Sequence, residues 1–524
     1  MLLAAKKSSS FLRVRCECVT MENHGAVDGG EESSILSEIK KQLRLAGPLA
    51  VGYLLQKIIQ TISIMFVGHL GELPLASASL ATSFASVTSF SLMTGMASSL
   101  DTLCGQAFGA GQRHLLGVYK QRAMLVLAAV SVPVAAVWAF TGDILVWLRQ
   151  DPEIAAGAGS YIRLMTPALL LFGQLQCHVR FLQTQNAVLP VMLSSGGAAA
   201  AHVAVCWLLV RRLGLGADGA ALATTVSNLV NLALLALYVR LSPSCKATWA
   251  GFSREAFRGV PGFLRLAVPS ALMICMEFWS FEMLMLLSGL LPNPKLETAV
   301  MSICFNTYLF AFKIPMGLSA AASAAYASNE LGAGRPQAAR LATRVVMLLA
   351  LSLGVSEGLV LVLVRRLLGY AYSNAEEVAS YTARMMPVLA VCILFDSMEC
   401  VLSGVVRGCG RQKIGAYINL SDYYLAGIPA ASIFAFGLHL RGMGLWFGIL
   451  CGLVVQMVLL ISITLRTDWN KEESLASKAK DRISSSPLLV GIISSGSEQE
   501  NESGFVGKDA QGTEAMASTG RREG

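Results

Sequence analysis

The sequence predicts an all-α polytopic membrane protein, with twelve transmembrane helices in two six-helix lobes related by pseudo-twofold symmetry along the membrane normal. Three observations predict it. The 524-residue chain is 54% hydrophobic and only 14% charged, where soluble domains are about a quarter charged. Twelve segments are apolar over the ~20 residues that a bilayer crossing takes. The motifs of the first half recur in order in the second.

The spans run over roughly 46–68, 76–103, 118–141, 158–177, 188–210, 218–240, 263–290, 297–323, 342–364, 380–404, 415–437 and 443–466. An even number places both termini on one side. With cytosolic termini the inner segments carry 15 Lys and Arg, among them Lys120, Arg180 and Arg407, against 7 outside. This inside-positive bias predicts cytosolic termini. The domain division that follows is a disordered segment 1–38, an N-lobe 39–241, a cytosolic linker 242–261, a C-lobe 262–468 and a disordered tail 469–524. Residues 1–20 have no secretory apolar core, and Met21 is an alternative start.

Four matches carry the repeat. "LRLAGPLAV" at Leu43 answers "LRLAVPSAL" at Leu264, 221 residues on. "FSLMTGMASS" at Phe90 answers "FKIPMGLSAA" at Phe312, "FGAGQRHLLG" at Phe108 answers "LGAGRPQAAR" at Leu331, and "YIRLMTP" at Tyr161 answers "YTARMMP" at Tyr381, with spacings of 222, 223 and 220. Six helices per repeat insert both halves the same way up. Such repeats build secondary transporters with a site near the midplane between them.

Other classes lack their signatures. The net charge of +8 is spread between apolar spans, with no basic helix or aromatic motif for nucleic acid. There is no Walker A, HExxH or GxSxG motif, so no catalytic residue, metal site or cofactor is expected. The twelve cysteines are scattered. Cys16 and Cys18, the one close pair, do not have zinc spacing.

Six segments, "MFVGHLGEL" (65–73), "LDTLCGQAFGAGQ" (100–112), "RFLQTQNAVLP" (180–190), "LSGLLPNPKLETAVMSIC" (287–304), "SNELGAGRPQAAR" (328–340) and "VLSGVVRGCGRQKIGAYINL" (401–420), resemble the multidrug and toxin extrusion (MATE) family in its plant detoxification branch. The resemblance covers about residues 35–468. It implies a monomeric two-lobe exporter that exchanges a cation, H⁺ rather than Na⁺, for an organic solute. The address it implies is the plasma membrane or the vacuolar membrane.

The acids inside the spans are the most informative residues, because an intramembrane carboxylate is costly and functional by default. Glu277 sits near the centre of the seventh span. Glu282, five residues on, lies about 140° around the helix and ~7.5 Å along it, so the two cannot share a face. Asp396 and Glu399 in the tenth span lie three apart on nearly one face. By the resemblance, Glu277 and Asp396 are the proton-coupling pair. Glu399 stands where the family commonly has glutamine. Glu282, Glu399 and Asp422 are auxiliary charges, and so are Lys57 in the first span and Lys313 in the eighth.

Both lysines stand at positions usually uncharged in the resembled family. Each should pair with an acid or face water, and Asp422 is one such partner. Either lysine would favour anionic or glycosylated substrates, or alter coupling. The first span lacks the N-lobe aspartate that bacterial relatives often use, which moves the coupling site to the C-lobe. Tyr326 replaces an arginine often seen before "SNELG", and Glu357 is unexplained. Drug-sized sites are mostly apolar with a few placed polar groups. Tyr53, Phe278, Trp279, Asn306, Tyr308 and Tyr423 are the cavity residues proposed on that ground. The Gly-rich "FGAGQ" and "LGAGR" segments and His69 read as turns. The reading is thus a proton-coupled exporter of xenobiotics or alkaloid- or flavonoid-like metabolites. A same-fold carboxylate exporter or lipid-linked flippase is the alternative, and a membrane enzyme or receptor a distant one.

Overall fold

The computed structural model describes residues 31–372 and 375–474, apart from the side chains of 31–34 and 324–326. Residues 31–38 and 469–474, expected to be disordered, are helical; the rest of those two segments, the alternative start, Cys16, Cys18 and the side chain of Tyr326 lie outside the described residues. Those described are helical wherever the chain has regular structure.

In chain order the N-lobe helices are α1 (Glu31–Gly68), α2 (Glu72–Gly109), α3 (Arg113–Ala139), α4 (Pro152–Thr184), α5 (Val188–Arg212) and α6 (Gly216–Leu241). The C-lobe helices are α7 (Val260–Ser288), α8 (Pro294–Ala321), α9 (Pro336–Tyr372), α10 (Glu376–Gly408), α11 (412–437) and α12 (Arg441–Leu465). Local chemistry sets the boundaries. The Asp151 side chain accepts from the amides of Glu153 and Ile154 while Pro152 occupies the first turn of α4, an N-cap followed by the residue that lacks an amide to satisfy.

Eleven of these helices are long and apolar enough to cross a membrane, and two of them, α2 and α5, carry short π-wound stretches at Ser86–Phe90 and Trp207–Arg212. The other, α11, is helical throughout, but Leu420–Gly427 and Ile433–Gly437 are wound as π-helix. Pro429 follows the first of these stretches and cannot donate to a carbonyl one turn back, which disfavours regular α-winding there. This unwinding surrounds Asp422.

Each lobe has its own core. Met93, Leu100, Leu116, Leu127, Trp138 and Phe181 fill the N-lobe. Phe281, Tyr308, Tyr423, Trp446 and Ile449 fill the C-lobe. A third cluster lies between the lobes and includes Leu49 and Tyr53 of α1, Leu318 of α8 and Val401 of α10, with Trp469 just past α12. Outward-facing leucines such as Leu359, Leu363 and Leu425 are more than half exposed, as a lipid-facing surface requires.

The lobes meet by exchanged contacts. α1 packs on α5 of its own lobe and on α8 of the other, and α7 packs on α11 and on α2. A Cβ on Gly95 would lie 2.5 Å from Ala271 Cα, and one on Gly317 would lie 2.6 Å from Ala50 N. The repeat relates these pairs, since Ala50 aligns with Ala271 and Gly95 with Gly317. The two Gly-rich turns also meet. A Cβ on Gly109 would fall on Asn329 O, and one on Gly332 would lie 2.2 Å from Gln106 O. Only glycine permits backbones this close. These turns mark one end of the bundle, the Gly-turn face.

Further ties join the lobes on that face. Ser328 Oγ donates to Thr102 O (3.0 Å), Asn329 Nδ2 to Thr184 O (3.1 Å) and Gln412 Nε2 to Thr102 Oγ1 (2.7 Å). Lys41 of α1 lies 3.6 Å from Glu330.

The linker folds back on the N-lobe. Thr248 Oγ1 donates to Gln185 Oε1 (2.8 Å), Ser253 N to Gln121 Oε1 (2.7 Å), and Arg122 Nη2 to Glu255 O (3.3 Å). Here the structure corrects the charge reading. Lys120, counted above as an inner-loop charge, is fully buried, with its Nζ 4.1 Å from the Trp249 ring centre and 4.6 Å from that of Phe181. Two aromatic faces replace its water. Arg180 is likewise buried inside α4, and Arg407 is half-buried inside α10.

Candidate functional site

The C-lobe gathers acids from four helices. Asp396 and Glu399 on α10 and Asp422 on α11 are buried, while Glu277 on α7 and Glu357 on α9 are half-buried. Glu277, Glu399 and Glu357 all lie within Coulombic reach of Asp396, and Asp422 is near Glu399 and Glu277. Glu399 is the best bonded. Its Oε1 accepts from Ser403 Oγ (2.5 Å) and from Gln456 Nε2 of α12 (2.7 Å). Gln456 Nε2 also donates to Asn419 Oδ1 (3.1 Å), and Asn419 Nδ2 to Met273 O of α7 (2.8 Å). One chain of bonds thus joins α10, α12, α11 and α7. By contrast Asp396 Oδ1 and both carboxylate oxygens of Asp422 and Glu357 are buried without a hydrogen-bond partner among the described residues. Unbonded buried oxygens of this kind are expensive, and an added proton would relieve that cost.

The two α7 acids point from different faces of the helix. Glu277 is close to Glu399, Lys313 and Arg407. Glu282 instead faces Ser83 of α2, across the lobe boundary. Trp279, three residues before Glu282, shares that direction, and its Nε1 donates to Val87 O of α2 (3.0 Å).

The structure also brings together groups that the sequence reading had not singled out. Asp101 of α2 and Arg180 of α4 form a buried ion pair (Nη1–Oδ2 3.0 Å). Arg407 lies within Coulombic reach of Asp101 on one side and of Glu277 and Glu399 on the other. Its Nη2 donates to Ser319 Oγ (3.0 Å) and its carbonyl accepts from Thr102 Oγ1 (2.5 Å). Arg407 therefore stands between the N-lobe ion pair and the C-lobe acids. An aspartate inside the apolar second span and an arginine just past the predicted end of the fourth were the available signals.

The lysines do not pair with Asp422. The acid beside Lys313 is Glu277, and the charged neighbour of Lys57 is Lys313 itself. Asp422 is enclosed in the π-wound part of α11, with Gly452 of α12 against its backbone, so it is not presented toward α1.

The six proposed cavity residues divide by environment. Tyr308 and Tyr423 are fully buried, packed with Phe281, whose ring centre is 4.9 Å from that of Tyr308, and with Trp446. They form a wall behind the acids. Tyr53 is buried between the lobes, and its hydroxyl accepts from Gln183 Nε2 (2.8 Å). Asn306 is exposed, with its amide donating to Ser302 O of its own helix (3.0 Å). Phe278 is half-buried, and Trp279 is the inter-lobe tie described above.

Residues 48–208 and 269–433, one block in each lobe, match the MatE family model. The chain belongs to the MATE family. It is 56% identical over 457 residues to Protein DETOXIFICATION 16 of Arabidopsis thaliana, covering 87% of this chain and 93% of that one. It is 51% identical over 459 residues to Protein DETOXIFICATION 17 of the same plant, covering 88% and 96%. The crystal structure of the eukaryotic MATE transporter AtDTX14 matches with a TM-score of 0.82 at 45% identity, covering 85% of this chain and 99% of that one. This MATE chain is accordingly a multi-pass membrane transporter of the detoxification type, not an enzyme, with twelve helices in two lobes.

Proposed function

We propose that this MATE transporter exports organic solutes from the cytosol in exchange for H⁺ by alternating access, with Glu277 and Asp396 as the coupling acids. The observation that carries this reading is the convergence of Glu277, Asp396, Glu399 and Asp422 inside the C-lobe, with oxygens of Asp396 and Asp422 buried and unbonded. The Gly-turn face is the cytosolic side, so both termini are cytosolic. The protein acts as a monomer in the plasma or vacuolar membrane, without a cofactor.

In the cytosol-open state both acids are ionised and the site accepts solute. After the lobes rock, protons from the acidic side neutralise the acids. Their contacts with Arg407 and Lys313 weaken, the bonds between helices rearrange, and solute leaves. Each unit of ΔpH supplies ~1.4 kcal/mol per proton, and 100 mV supplies about 2.3 kcal/mol per charge.

The test is solute counterflow in proteoliposomes at controlled ΔpH, with a substrate panel. Glu277→Gln and Asp396→Asn should each lower ΔpH-driven flux on the order of tenfold or more, if each removes over 1.4 kcal/mol of coupling. Full ΔpH-driven flux in both variants overturns the assignment.

A further inference from the structure

Two lysines face each other across the lobe boundary at membrane depth. α1 and α8 run antiparallel and touch where Ala50 meets Gly317. Lys57 is seven residues past Ala50, so it returns to the contact face, ~10.5 Å along α1. Lys313 is four residues before Gly317, one turn and ~6 Å along α8 in the same direction. The two ammonium groups therefore sit within a few ångströms of one level, above the closed Gly-turn face.

Their surroundings agree. Lys57 Nζ lies over the Phe310 ring, 5.9 Å from its centre, and Lys313 Nζ lies 5.6 Å from that of Phe312 and 3.9 Å from Met316 Sδ. No carboxylate among the described residues is within ion-pair distance of either lysine. The repeat-related interface between α7 and α2 has Phe278 and Ser91 at the equivalent positions, so the cation pair belongs to one side of the pseudo-twofold only. Helix packing by itself therefore does not require it.

Two like charges that no close ion pair neutralises are costly at this depth. A tetrahedral or planar anion can accept from both ammonium groups at once, and charge-assisted bonds of this type are the strong ones. We propose that Lys57 and Lys313 together bind one anionic group of the transported solute, a carboxylate or a sulfate ester, between the two lobes. The proposal rests on the transporter reading and deepens it by naming a substrate class. Because one lysine comes from each lobe, the bound anion bridges the lobes. Glu277, beside Lys313, competes with the anion for that ammonium group.

A matched series on one scaffold tests this. 4-Methylumbelliferyl sulfate and the neutral 4-methylumbelliferyl glucoside are titrated onto the purified full-length protein. The sulfate should bind on the order of tenfold tighter or more, the range expected when a buried charge contact is made or lost. Lys57→Gln and Lys313→Gln should each remove that preference, Lys57→Arg should keep it, and Glu277→Gln should raise affinity for the sulfate. Thermal melts identify any variant that misfolds, and Lys57→Arg and Glu277→Gln then still decide. Equal binding of sulfate and glucoside by the wild type, a preference that survives Lys57→Gln with Lys313→Gln, or an unchanged sulfate affinity in Glu277→Gln overturns the proposal. Counterflow of the glucoside and of cationic dyes in wild-type proteoliposomes reads the transporter hypothesis separately. Its failure would sink that reading whatever the anion preference.

Discussion

Gly317 packs on Ala50 so closely that a single added carbon would lie 2.6 Å from a backbone nitrogen, and Gly95 stands in the same relation to Ala271. Backbone cannot swing aside as a side chain can, so Gly317→Val must push α8 off α1. Overpacking of this kind costs about 1–3 kcal/mol, and here the cost falls on the closed Gly-turn face. Thiol labelling of Ala110→Cys, beside the meeting turns, should be several-fold faster in Gly317→Val than in the parent. Unchanged labelling would mean that this contact does not hold the lobes together.

The Asp101–Arg180 pair predicts an asymmetric stability result. Asp101→Asn leaves the Arg180 charge buried and unpaired, a loss of about 3–5 kcal/mol in comparable cases. Replacing both partners with apolar residues, Asp101→Leu with Arg180→Met, should recover much of that loss. Melting of the detergent-solubilised protein reads both. A double variant less stable than the Asp101→Asn single variant would show that Arg180 is needed for more than its pairing with Asp101.

Trp249 holds the linker onto the N-lobe by covering Lys120 and meeting Phe181 edge-on, with ring centres 6.4 Å apart. A desolvated cation–π contact is worth ~2 kcal/mol. Trp249→Ala should free the linker, so trypsin should cut at Arg254 and Arg258 several-fold faster. Wild-type digestion kinetics in that variant would place the anchor elsewhere, at Gln121 or Arg122.

On the opposite face, buried Glu297 accepts from Tyr381 Oη (2.9 Å) and from the Gly442 amide (3.1 Å), fastening α8 to α10 and to the start of α12. Tyr381→Phe removes one of these bonds, and Glu297→Ala removes both. Hydrogen bonds to charged groups contribute about 1.5–3 kcal/mol each, so Glu297→Ala should lower Tm more than Tyr381→Phe. The reverse order would show that the ring of Tyr381, rather than its hydroxyl, carries the contact.

Much of the frame was legible in sequence because its signals are local or periodic. The spans follow from runs of apolar residues, and the two lobes follow from four motif matches at nearly constant spacing. The divergence of Glu277 and Glu282 follows from 100° per residue, and the structure directs them to different lobes. Less was legible where a residue's meaning depends on a distant partner. Lys120 and Arg180 look like loop charges until Trp249 and Asp101 are placed against them. Trp279 looks like a cavity aromatic until Val87 O is found within reach of its indole.

The sequence alone determined the twelve crossings, the family and which helices carry acids at membrane depth. Hydropathy, periodicity and the internal repeat need no knowledge of neighbours. Only the tertiary structure decided that Arg407 stands between the N-lobe ion pair and the C-lobe acids. It also decided that the two Gly-rich turns interlock and that Lys57 meets Lys313 rather than Asp422. Those facts depend on which faces of α1, α2, α7, α8 and α10 are pressed together. That pairing is set by close packing of glycine and alanine from different lobes, far apart in the chain, and no local pattern encodes it.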